Sequence, residues 1–139
     1  MDAETALALE EDEGAVRAFL EENEGCLTAD PVVTGQYWVT LRPRSAPQER
    51  FYARLAWTRY PHSSPSVLFA DAIGGALGSA RAWPAIAGYQ APTRICKPFT
   101  AEGFAAHTEW VWPTTGNPFL WVVTVLQDDL DTKYSGRAA

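Results

Sequence analysis

At Tyr37 the apolar pattern of this chain switches to a period of two. Tyr37, Val39 and Leu41 alternate with Trp38, Thr40 and Arg42 up to Pro43. A turn follows in Arg44-Ser45-Ala46-Pro47-Gln48-Glu49. Phe51, Ala53, Leu55 and Trp57 then alternate with Tyr52, Arg54 and Ala56. Successive strand side chains face opposite sides, so the pattern predicts antiparallel strands with one buried face. That face needs a second layer to cover it. Ser66 to Ala70 reads as a further short strand after a proline turn. Val32-Val33-Thr34 reads as a short edge strand ahead of the first long one.

Helical patterns flank the strands. From about Thr5 to Glu24, Leu9, Val16, Phe19 and Leu20 fall on one helical face, with Asp2 or Thr5 as the cap and Gly25 as the terminator. Near the other end, Thr114-Thr115-Gly116-Asn117-Pro118 opens a final helix, with Asn117 as its cap and Pro118 as its first residue. Phe119, Val122, Val123, Leu126 and Leu130 form its buried stripe, widened by Trp121 and Val125. Ser135 to Ala139 is expected to fray.

From Asp71 to Phe99 no period survives. Gly74, Gly75, Gly78, Pro84, Gly88, Pro92 and Pro98 interrupt every candidate element. Loops this long inside a compact domain are usually functional. Phe104 to Trp112 reads either as a short strand or as a turn. The chain is thus expected to be one α+β domain over residues 1–139: helix, four-stranded antiparallel meander, long loop, helix.

Composition narrows the function. The formal net charge is −6, and Glu10, Glu11, Asp12, Glu13, Glu21, Glu22 and Glu24 concentrate acid near the start. A phosphate backbone needs a basic footprint, so no nucleic-acid partner is expected. Arg42, Arg44, Arg50, Arg54 and Arg59 read as a solvated strand face, with a local basic patch as the alternative. No apolar run approaches the ~20 residues of a membrane span, and no leader pattern is seen, so the chain reads as cytoplasmic. Two cysteines do not suggest a disulfide framework. The six tryptophans read as core and loop anchors.

Cys96 is the leading candidate for chemistry. It lies in Pro92-Thr93-Arg94-Ile95-Cys96-Lys97-Pro98-Phe99, between two cations that favour the nucleophilic thiolate. Its alternative is a structural cysteine. Cys26, among acidic residues and before Leu27, is expected to be packed and inert. His107, eleven residues after Cys96, is the candidate base or polarising group, set against a surface or capping histidine. His62, in the proline turn, reads as a surface or capping histidine rather than a helper. Asn117 is either an oxyanion donor or only a helix cap. Asp128 and Asp129 either line the cleft or sit on a solvated helix face. No zinc-type ligand spacing and no Gly-rich phosphate loop are present, so neither metal nor cofactor is expected.

Together these features resemble the ubiquitin-conjugating enzyme (UBC-like) fold along nearly the whole chain. Tyr60-Pro61 and Pro65 match the family's proline turn into the last strand. Ile95-Cys96 matches the acceptor cysteine, and Trp110 or Trp112 precedes the long helix as in the family. The family's His-Pro-Asn tripeptide has no counterpart, since Ile86-Ala87-Gly88 occupies that stretch. Lys97-Pro98 replaces Leu-Asp, and the first helix is acidic where the family's is often basic. Only 43 residues follow Cys96, so the family's last helix pair is expected to be missing. These departures are those of a divergent bacterial-type member, of the sort found in antiphage defence operons.

The resemblance implies a transferase. Cys96 would carry a ubiquitin-like protein, or another partner's C-terminus, as a thioester and pass it to a lysine or other nucleophile on a protein substrate. A ubiquitin-activating-type enzyme would supply it. Two rival expectations stand beside this one. The first is a catalytically inactive module that only docks a ubiquitin-like partner. The second is a Cys-His hydrolase using Cys96 and His107, for which the sequence offers no recognisable orienting partner.

Overall fold

A computed structural model describes residues 1–113 and 115–139. It is an α+β fold built from an N-terminal helix, a four-stranded antiparallel sheet and a C-terminal helix. Helix α1 spans Ala3–Glu22 and is capped by Asp2, whose carboxylate accepts from the Thr5 N–H at 2.7 Å. Strands β1 (Cys26–Ala29), β2 (Gln36–Leu41), β3 (Phe51–Ala56) and β4 (Ser66–Ala70) pair in that order. Helix α3 spans Pro118–Thr132, with Asn117 as cap and Pro118 opening the first turn.

The period-two reading sets the register. Tyr37 faces Leu55, Val39 faces Ala53 and Leu41 faces Phe51, and across the next pair Ala53 faces Phe69 and Leu55 faces Val67. These side chains share one sheet face and join Leu9, Val16, Leu20, Phe119, Val122, Val123, Leu126 and Leu130 in a single core. Each such fully buried aliphatic side chain contributes on the order of 2 kcal/mol of transfer free energy. The Tyr60 hydroxyl ties the layers together. It donates to Asp12 of α1 and receives the Phe119 N–H at the start of α3 at 3.2 Å. Burial, and then Asp12, push this phenol far above its ordinary range, so it stays protonated.

Several expectations are corrected. The edge strand is Cys26–Ala29; Val32 and Val33 instead sit in a turn where both N–H groups donate to the Asp30 carboxylate. The left-handed residue after α1 is Glu24 (φ 61°), while Gly25 is needed because a Cβ there would strike the Thr40 carbonyl. The 71–99 stretch holds a 3₁₀ turn (Ala80–Ala82) and a hairpin of β5 (Tyr89–Gln90) and β6 (Arg94–Ile95). The stretch read as strand or turn begins inside helix α2, Ala101–Ala106. Arg54 is only partly solvated: it is half-buried and donates to Ser66. The tail does not fray. Ala138 N–H donates to the Trp83 carbonyl at 2.9 Å, and the Arg137 guanidinium lies 4.3 Å over the Phe51 ring. Thr114 lies outside the described residues.

Candidate active site

Local chemistry fixes where the Cys96 loop goes. Cys96 directly follows β6, and its N–H donates to the Gly88 carbonyl at 2.8 Å. Thr100, fully buried, holds both sides of the segment. Its hydroxyl donates to the Ile95 carbonyl at 2.6 Å and accepts the Gly103 N–H at 2.9 Å as the cap of α2. Gly103 matters because a Cβ there would meet the backbone of Lys97. Helix α2 therefore rests directly on the peptide that follows Cys96. Glu102 anchors the helix to the sheet, accepting from Ser66 and from the Val67 N–H at 3.1 Å.

One short helix later the chain delivers His107. Its N–H closes α2 on the Gly103 carbonyl at 3.0 Å, and its Nε2 lies 3.3 Å from the Cys96 sulfur. The opposite ring nitrogen, Nδ1, is 3.3 Å from Glu109. Trp110 stacks on the imidazole at 4.0 Å between centroids and 20° between planes. The structure thus joins Cys96 to His107 and adds an orienting carboxylate that the sequence reading missed. The signal was present as His107-Thr108-Glu109, a carboxylate two residues beyond the histidine. Recognising it required knowing that helix α2 ends at the histidine.

Other candidates fall elsewhere. The Asn117 side-chain oxygen accepts the Leu120 N–H at 2.8 Å, and its side-chain NH2 donates to the Asp12 backbone carbonyl at 3.2 Å. That engages it as the helix cap, and none of its described hydrogen bonds reaches Cys96. Asp128 is exposed. Asp129 is buried at 2% exposure, neither solvated nor open to a cleft, and accepts from Tyr89 at 2.8 Å, Lys97 at 3.2 Å and Lys133 at 3.1 Å. The Lys97 charge is thus turned to Asp129, and Arg94 donates to Gln90 at 2.6 Å. The cations that flank Cys96 in sequence are engaged by their own partners. His62 is exposed, as is Cys26, which corrects the expectation of a packed thiol. Among the described residues no group of three His, Cys, Asp or Glu side chains is arranged to hold a metal, and no helix is long and apolar enough to cross a membrane.

A thiol within reach of a base, itself oriented by a carboxylate, is equipped to form a covalent acyl intermediate. Comparison with family models finds no match, and comparisons with curated proteins and with solved structures find none either.

Proposed function

We propose that this chain is a ubiquitin-conjugating-enzyme-like acyl transferase in which Cys96 is the acyl carrier. The observation that carries the reading is the 3.3 Å approach of His107 Nε2 to the Cys96 sulfur. In the first step the Cys96 thiolate attacks the thioester carbonyl of a charged donor, and the donor thiolate leaves. In the second, an amine on a protein substrate attacks the Cys96 thioester carbonyl; the C–N bond forms, the C–S bond breaks and the Cys96 thiolate leaves, with His107 taking the amine proton. The helix, meander, loop and helix order supports a UBC-like arrangement, with Cys96 in the loop between the last sheet strand and the long helix. On that arrangement the donor is a ubiquitin-like protein, loaded by an activating-type enzyme in a bacterial cytoplasm as part of a defence module. The Cys96–His107 pairing favours this over an inactive docking module, which has no use for an aligned base.

The test is to incubate the protein with candidate ubiquitin-like proteins, an activating enzyme and ATP. A thiol-reducible adduct that disappears in Cys96→Ala and persists in Cys26→Ala is expected. Absence of the adduct while the activating enzyme itself becomes charged would remove the carrier role.

A further inference from the structure

Thioester exchange exchanges one thiol for another and needs little more than a thiolate. Helix α2 provides more than that. His107 lies between Cys96 and Glu109, each at 3.3 Å, so Glu109 favours the proton on Nδ1 and leaves Nε2 as the base toward sulfur. The imidazole is also wet: its side chain is 38% exposed and that of Glu109 is 68% exposed. A base oriented from behind, beside the thiol and open to solvent, suits activation of water as well as of an amine.

We propose that Cys96, His107 and Glu109 hydrolyse activated acyl groups, thioesters and esters, without any partner protein. The inference rests on Cys96 being the acyl-accepting nucleophile. With an ester, His107 Nε2 takes the thiol proton and the sulfur attacks the carbonyl carbon. The S–C bond forms, the C–O bond breaks, and the leaving alcohol takes the proton back from the imidazolium. In the second half His107 takes a proton from water, the hydroxide adds to the thioester carbonyl and the C–S bond breaks. The proton returns to the sulfur, and the acid is released. The sum is ester plus water giving acid plus alcohol, with no other reactant. Glu109 meets the imidazole on the side away from the sulfur, so it acts as a positioning residue.

The probe is p-nitrophenyl acetate with the full chain alone, read by nitrophenol release and by mass spectrometry of the protein. A burst of one acetyl group per chain on Cys96 is expected, followed by steady turnover. Cys96→Ala should abolish both phases, Cys26→Ala neither, and His107→Ala should slow turnover about 100-fold or more. Glu109→Gln should move the pH profile of turnover, and Glu109→Asp should restore most of it, which a merely structural role would not do. A single acetyl on Cys96 that never turns over overturns the hydrolytic inference and leaves the carrier reading standing. No acetyl on Cys96 overturns both.

Discussion

The Lys97 ammonium lies 3.2 Å from the Asp129 carboxylate, so the residue after the candidate nucleophile is anchored to helix α3. Asp129 also holds Tyr89, whose hydroxyl burial and the neighbouring carboxylate push well above its ordinary range. One buried acid therefore fastens both the β5 hairpin and the Cys96 loop to the helix behind them.

Removing that charge should cost more than a surface substitution. Asp129→Asn leaves Lys97, only 20% exposed, without its counterion. A loss of roughly 3 kcal/mol is expected in urea unfolding at unchanged slope. The double variant Lys97→Met with Asp129→Leu should lose less, because the one charge then left unpaired, Lys133, is half-exposed and stays hydrated. A single-variant loss below about 0.5 kcal/mol would place Asp129 among ordinary surface positions.

Two glycines should respond with opposite signs to the same substitution. Gly103→Ala drives a methyl into the Lys97 backbone and should destabilise by about 1–3 kcal/mol, while separating His107 from Cys96. Gly14, exposed in α1 with open space around its Cα, should gain about 0.5–1 kcal/mol on change to Ala. Thermal unfolding checks both, and the rate of Cys96 alkylation checks the first. Equal shifts would mean that the α2 contact with the loop has no consequence.

Tyr60→Phe removes the hydroxyl shared by Asp12 and the Phe119 N–H. Leaving these groups unpartnered should cost about 1–3 kcal/mol. Amide exchange should accelerate first at Phe119, and uniform acceleration across α3 would argue against a local role.

Acid should act through Asp30. Its carboxylate accepts from the N–H groups of Val33, Trp38 and Val32, which hold it at about 2, below the ordinary 3.8. The folded form has the lower value, so the stabilisation is fully present above 3.8 and is lost as pH falls through about 2. The stability gap between wild type and Asp30→Ala should be constant from pH 7 to 5 and shrink toward pH 2. A gap that stays constant down to pH 2 would remove Asp30 from the acid response.

Sequence alone revealed most of the sheet and both long helices, because Tyr37 to Trp57 and Phe119 to Leu130 carry strong periods. It misplaced the first strand, since Val32 and Val33 have high strand propensity but Asp30 captures their N–H groups in a turn. It missed helix α2, whose six residues are too few to show a period and whose start depends on the buried Thr100 cap. The candidate site was half legible. Cys96 and His107 could be named; Glu109 lies two residues past His107 but is recognisable only once the end of α2 is known, and the diversion of Lys97 to Asp129 depends on a contact across the fold that no spacing encodes.

The resting of α2 on the Lys97 peptide has a practical corollary. Sulfur and imidazole are carried on one uninterrupted piece of chain from Ile95 to His107, braced by Thr100 and by the bare α-carbon of Gly103. The two side chains therefore travel as a cassette. Transplanted onto another sheet edge that offers a carboxylate for Lys97 and a serine for Glu102, this segment would bring its thiol and imidazole already in register.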